Sequence, residues 1–148
     1  MSPLSPKPEV AGSFSPDGEA RPLALIAGRH DDTRQMMRHL LETWGFRVAE
    51  AGSCGEAPAV AEQNVPSLVL LDTSIPFTET LNAAASIRNG SKTREIPIIL
   101  ISGFGQEAFR YAALAQGVNR YFVKPIDLDV LRDHVQRLIR GRGDGQVH

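Results

Sequence analysis

Three unbroken apolar runs of strand length constrain this chain more than any other feature: Leu23-Ala24-Leu25-Ile26-Ala27, Leu68-Val69-Leu70-Leu71 and Ile96-Pro97-Ile98-Ile99-Leu100-Ile101. A strand that is apolar on both faces must be covered on both faces, the condition of interior strands in a parallel sheet sandwiched by helices. The segments between them supply those helices. Met36, Met37, Leu40, Leu41 and Trp44 recur at helical spacing, with Asp32, three residues before Gln35, read as the N-cap and Gly45 as the stop. Phe46 to Glu50 mixes polar and apolar residues, as an edge strand with one wet side would. Ser53 and Glu56 have capping-box spacing before a modest Ala57, Val60, Ala61 stripe that Pro58 must kink or delay, so this helix is expected to be the weakest. Leu81, Ala84 and Ala85 precede an Asn89-Gly90 stop, and Phe109, Ala112 and Ala113 precede Gly117. Arg120 to Val123 forms a fifth strand, leading through Pro125 to a closing helix striped by Leu128, Leu131, Val135, Leu138 and Ile139. Five βα units predict an α/β fold: a doubly wound, five-stranded parallel sheet with right-handed crossovers.

Composition narrows the function classes. At 148 residues the chain has room for one domain with loose ends, not for a two-domain enzyme. Sixteen Lys and Arg against 17 Asp and Glu give a net charge of −1, which offers no general electrostatic reason to bind nucleic acid or anionic lipid. Residues 1–22 hold five of the ten prolines, with four serines, and read as a disordered arm; residues 141–148 alternate glycine with polar residues and read as a flexible tail. The folded unit is therefore expected over 23–140, with no output domain attached. Cys54 is the single cysteine, which excludes an internal disulfide framework and Cys-pair metal motifs, and it reads as a small apolar residue. His30, His39, His134 and His148 form no helical metal pair. With no signal region and no apolar stretch near the ~20 residues needed to span a bilayer, a soluble cytoplasmic protein is expected.

In open parallel sheets, ligands bind beyond the carboxyl ends of the strands. Those positions carry Gly28 and Arg29 after the first strand, Asp72 after the third, Ser102 and Gly103 after the fourth, and Lys124 after the fifth. A lone aspartate at a strand end is usually a helix cap or a loop hydrogen-bonder. A carboxylate, a hydroxyl and an ammonium on one sheet edge make a candidate site.

The segments Pro66-Ser67-Leu68-Val69-Leu70-Leu71-Asp72-Thr73-Ser74-Ile75-Pro76, Ile96-Pro97-Ile98-Ile99-Leu100-Ile101-Ser102-Gly103 and Gly117-Val118-Asn119-Arg120-Tyr121-Phe122-Val123-Lys124-Pro125 give the chain its family likeness. Over Leu23 to Arg140 it resembles the receiver domain of two-component response regulators. The resemblance implies a flavodoxin-like (βα)5 fold with strand order 2-1-3-4-5, which suits the edge-like composition of strands two and five. It further implies that Asp72 is the phosphoacceptor, that Ser102 and Lys124 stabilise the phosphoryl group, and that Ser102 and Tyr121 form the switch. The implied partners are a histidine kinase or phosphotransfer protein, and a downstream protein met by the helix 4, strand 5 and helix 5 face around Arg110, Tyr111, Arg120 and Tyr121. Neither nucleic acid nor membrane is an expected partner, and no enzymatic activity is expected beyond self-phosphorylation and self-dephosphorylation at Asp72.

One departure from the family bears on mechanism. Gly28 and Arg29 stand where the family carries its acidic metal-binding pair, while Asp31 reads as solvated. Three carboxylates against one lysine would leave two net negative charges for Mg²⁺ to balance; Asp72, Lys124 and Arg29 instead leave one net positive charge, so no metal cofactor is expected. Arg29 then has three possible roles: locking onto Asp72 in a pseudo-receiver that works without phosphorylation, holding a phosphoryl group in the metal's stead, or facing solvent from its loop. Glu79 and Thr80 replace a turn where the family often has Asp-Gly. Phe77 and Phe104 are expected as rings near the pocket mouth, or each as an ordinary buried aromatic.

Overall fold

The computed structural model describes residues 21–144, with side chains through Arg140. Five parallel strands, β1 (Leu23–Ala27), β2 (Arg47–Ala51), β3 (Leu68–Asp72), β4 (Ile98–Ser102) and β5 (Arg120–Val123), form one sheet in the order β2-β1-β3-β4-β5. The helices are α1 (Asp31–Thr43), α2 (Ala57–Asn64), α3 (Phe77–Asn89), α4 (Glu107–Ala115) and α5 (Leu128–Asp144). This is the doubly wound, flavodoxin-like arrangement expected.

The continuous apolar runs divide by alternation between two cores. Leu25, Ala27, Val69, Leu71, Ile98 and Leu100 face α2, α3 and α4, meeting mostly small residues such as Ala57, Ala61, Ala83, Ala84 and Ala113. Ala24, Ile26, Leu68, Leu70, Ile99 and Ile101 face α1 and α5, meeting Met37, Leu41, Leu131 and Val135. Large strand residues against alanines on one side let those helices sit close, which supports even the short α2.

Several boundaries shift for local reasons. Asp32 is not an N-cap: α1 begins at Asp31, His30 holds the cap position, and both aspartates lie in the first turn, where they favour the positive end of the helix. Asp31, read as solvated, also accepts from Arg34 Nη2 at 2.8 Å. Gly45 ends the helix as expected, at a φ of 101° that suits glycine. Pro58 delays α2, which is preceded by a 3₁₀ turn (Cys54–Glu56) capped by Ser53, whose Oγ accepts from Glu56 N. Glu56 Oε1 accepts from Gly52 N instead of closing the box on Ser53. The fourth strand starts at Ile98, two residues late, because Pro97 has no N–H to donate, although its carbonyl accepts from Val69 N.

At the ends of the domain, the Pro22 carbonyl accepts from Arg47 N at 2.8 Å and the Arg21 carbonyl from Arg47 Nε, so residues 21–22, assigned to the arm, extend the contact between β1 and β2. Helix α5 runs to Asp144, past the boundary expected at 140. The rest of the arm, residues 1–20, and the tail residues 145–148 lie outside the described residues.

Arg88 of α3 ties two connections together, α3–β4 and α4–β5. Its guanidinium donates to the carbonyls of Arg94, Ile96 and Gly117 and to Asn119 Oδ1, which also accepts from Ile98 N. Replacing Arg88 by Met keeps the apolar stem but leaves those carbonyls without their donor, so a loss of about 2–3 kcal/mol is expected. Urea unfolding measures it as a lowered midpoint at unchanged slope; a midpoint equal to wild type would contradict the assignment.

Candidate functional site

Parallel register brings the candidate residues to one edge. Ala27 pairs with Leu71, Asp72 with Ile101 and Ser102 with Val123, so Gly28, Asp72, Ser102 and Lys124 all emerge at the carboxyl end of the sheet. Backbone bonds fix the exits: Gly28 N donates to Ala51 O, Thr73 N to Ile101 O and Lys124 N to Ser102 O.

Asp72 lies at the centre, only 2% exposed. Lys124 Nζ stands 2.8 Å from its Oδ1, with the lysine side chain 39% exposed. Lys124 is thus the partner of Oδ1, while Oδ2 has no hydrogen-bond partner among the described residues. A buried carboxylate ordinarily accepts several hydrogen bonds, and leaving its lone pairs unused is costly. Here the charge is balanced while Oδ2 stays available.

Gly28 explains the closeness of the first strand. A Cβ at this position would lie 3.1 Å from Asp72 Cβ and 3.4 Å from Asp72 Oδ2, so the absence of a side chain lets the β1 end approach the carboxylate. The Gly28 carbonyl is held in turn by Arg34 Nη1 at 2.7 Å. Arg34 and Arg38 both grip Glu50 of β2, at 2.8 and 2.6 Å. Burial is the largest single influence on Glu50 and pushes its carboxyl upward, but hydrogen bonds and attraction from the two arginines outweigh it, so its pKa is lowered overall.

Arg29 does not lock onto Asp72, nor does it stand free. Its Nη2 donates to both oxygens of Glu79, each at 3.0 Å, with Arg29 half exposed. Glu79 lies in the first turn of α3, against Gly55, where a Cβ would come within 2.7 Å of its Oε2. Sequence reasoning noted Glu79 only as a departure in a turn. Counting it corrects the charge of the pocket from one net positive to neutral. The available signal was its position seven residues beyond Asp72 at the expected start of a helix.

Ser102 is fully buried, and its Oγ accepts from Phe104 N at 2.8 Å. The Tyr121 hydroxyl donates to Phe104 O at 2.7 Å. Both expected switch residues therefore hold the same residue of the β4–α4 loop. Phe104 stacks on Phe109 at 4.9 Å between centroids, and Phe77 meets both rings edge-on at 5.7 and 4.8 Å. The rings form one half-buried cluster joining the starts of α3 and α4, and Phe109 is the member that its helical spacing alone did not mark. Thr73 and Thr80 share a hydrogen bond of 2.6 Å beside it.

Cys54 Sγ lies 3.5 Å from the Asp72 carbonyl oxygen. Burial pushes its thiol up to about 11; Thr80 opposes the rise, Glu79 and Asp72 add to it, and Arg29 also opposes it. The thiol stays protonated at neutral pH, a small packing residue and not a nucleophile.

These residues do not fit Mg²⁺. Among the described residues no group of three or more His, Cys, Asp or Glu side chains is placed to hold a metal ion. The one buried carboxylate already faces Lys124, and a glycine and a guanidinium occupy the β1 end where further oxygen ligands would be needed.

The response regulator receiver domain family model matches residues 24–136. An uncharacterized 14.6 kDa protein encoded in the sodA1 3′ region of Leptolyngbya boryana is 31% identical over 109 residues, covering 73% of this chain and 83% of that protein. The phosphate regulon transcriptional regulatory protein PhoB of Pseudomonas aeruginosa is 30% identical over 121 residues, covering 82% of this chain but only 53% of PhoB. Among solved structures, the receiver domain of the sensor histidine kinase PA1611 from the same species superposes with a TM-score of 0.73 at 25% identity, covering 82% of this chain and 99% of that one. That structure holds a magnesium ion in its active-site cleft.

The lowered pKa of Glu50 gives a pH prediction. A carboxyl held lower in the folded than in the unfolded state contributes stability above its unfolded pKa, and that stability is lost as pH falls through the folded value. Glu50→Gln is expected to lower stability by about 1 kcal/mol near pH 7. The gap to wild type should shrink as pH falls from the ordinary glutamate range, near about 4.3, through the lowered folded value. Urea unfolding at stepped pH checks this, and a gap that stays constant would contradict it.

Proposed function

The chain belongs to the response regulator receiver family, and on that premise we propose that Asp72 is its phosphoacceptor, charged by a histidine kinase or phosphotransfer protein. The family works in two-component signal transduction. The observation that carries the assignment is the Asp72 carboxylate itself: 2% exposed, paired through Oδ1 with Lys124 at 2.8 Å, and with Oδ2 accepting no hydrogen bond among the described residues. Oδ2 is desolvated and unoccupied, which suits a nucleophile.

In the proposed step an Asp72 oxygen attacks the phosphorus of the donor phosphohistidine. The O–P bond forms as the P–N bond breaks, and the departing imidazole nitrogen keeps the electron pair. Lys124 neutralises the transferred group, and Ser102, whose Oγ accepts from Phe104 N, keeps its own hydroxyl hydrogen to donate to a phosphoryl oxygen. Such a donation draws Ser102 toward the phosphoryl group, away from Phe104, while Tyr121 holds the carbonyl of that residue. This shared attachment supports Ser102 and Tyr121 as the switch.

The output proposed is contact with a downstream protein through α4, β5 and α5. Tyr111, Val123, Leu128 and Val130 expose apolar surface there, beside Arg110 and Arg120. The proposal includes no direct nucleic-acid contact, no enzymatic activity beyond self-phosphorylation and self-dephosphorylation, and no divalent metal. No helix among the described residues is long and apolar enough to cross a membrane, and a cytoplasmic location is proposed.

Incubation with acetyl phosphate, with and without Mg²⁺, followed by intact-mass measurement tests the assignment. One added phosphoryl group on wild type and none on Asp72→Asn are expected. An unlabelled wild type under conditions that label Arg29→Asp, or a label that survives in Asp72→Asn, would overturn it.

A further inference from the structure

We propose that Arg29 is the cation that grips the phosphoryl group of phosphorylated Asp72, and that Glu79 is its resting counter-ion, released when the group arrives. This inference rests on the reading of Asp72 as phosphoacceptor and adds to it the residue that takes over the work of a metal.

Three observations meet here. First, the β1 end approaches the carboxylate closely: Gly28 has no side chain, and the position its Cβ would take is 3.4 Å from Asp72 Oδ2. Arg29 follows directly, on a loop whose backbone is held by Arg34 at Gly28 O and by Ala51 at Gly28 N. In the exchange, this long side chain turns toward Asp72 by rotation about its own bonds.

Second, the resting pair is built to exchange. A single guanidinium nitrogen, Nη2, makes both contacts to Glu79, so the two-nitrogen fork that makes arginine–carboxylate pairs strong is not used. Half-exposed pairs of this kind add little stability. Glu79 also has support of its own, since it lies in the first turn of α3, where the helix dipole favours negative charge. Losing Arg29 does not strand it.

Third, the charge balance changes on phosphorylation. At rest, Asp72 and Glu79 are matched by Lys124 and Arg29. Converting a carboxylate to an acyl phosphate adds about one further negative charge at neutral pH and three strong acceptor oxygens. Lys124 offers one point charge and Ser102 one hydroxyl. A planar guanidinium with paired donors is the complement a phosphoryl dianion lacks, and Glu79, with one charge on two oxygens, is the weaker competitor. The same cation explains why the donor set is unsuited to Mg²⁺.

The test uses the full chain, freed of metal with EDTA and labelled with acetyl phosphate, with both labelling rate and acyl-phosphate half-life followed by intact mass. Wild type is expected to label in EDTA, with no gain from added Mg²⁺. Arg29→Ala should label at least about tenfold more slowly and hold the group for less time, and Arg29→Lys should fall between the two, since it keeps the charge but loses the fork. Glu79→Gln, which removes the competitor, should label as fast as wild type or faster. Thermal unfolding of each variant checks that this exposed pair is not needed for folding. Labelling of Arg29→Ala at the wild-type rate, labelling of wild type only with Mg²⁺, or slowed labelling of Glu79→Gln would each overturn the exchange. A wild type that never labels would instead overturn the reading of Asp72, which keeps the two failures distinct.

Discussion

The charge contact between Asp72 and Lys124 is the constraint on which the site depends. A carboxylate this deeply buried loses hydration, and an ammonium 2.8 Å away offsets part of that loss. Lys124 is placed by the sheet, since its backbone N–H donates to Ser102 O at the end of the β4–β5 ladder. The register that aligns Ser102 with Val123 therefore also sets the distance between nucleophile and cation. The remaining site residues adjust around this pair: Gly28 by yielding space, Arg34 by fixing the Gly28 carbonyl, and Ser102 and Tyr121 by holding Phe104.

The fold was largely legible because its signal is redundant. Each interior strand is apolar up to its last residue, which is Asp72 in β3 and Ser102 in β4, and alternation sends Leu25 and Ile26, or Leu70 and Leu71, to opposite cores, so a modest error in a boundary does not alter the architecture. Asp72, Ser102 and Lys124 were legible for the same reason, since strand ends are fixed once the strands are. Caps were read less well. Asp32 has the residue type and spacing of an N-cap, yet the helix begins at Asp31, two residues before the Thr33 start that such a cap implies, and uses no side-chain cap.

The partner of Arg29 was hidden for a different reason. An ion pair between a loop and a helix start depends on where side chains 50 residues apart happen to meet, and neither periodicity nor spacing encodes that. The sequence marks Arg29 as a misplaced cation that could meet Asp72, a phosphoryl group or solvent. Glu79 is a fourth counterpart, and it removes the net positive charge that the sequence count left in the pocket. The site thus holds two cation–carboxylate pairs, one buried and one at the mouth, and only the buried one is constrained by the sheet.

A crystal structure of the full chain with beryllofluoride, a phosphoryl mimic, grown in EDTA, tests the central claim most directly. Beryllium bonded to an Asp72 oxygen, with Lys124 and Ser102 on the fluorides and Arg29 turned from Glu79 toward them, is the predicted result. An unmodified Asp72 beside an intact Arg29–Glu79 pair, under conditions where the mimic is in excess, would contradict it.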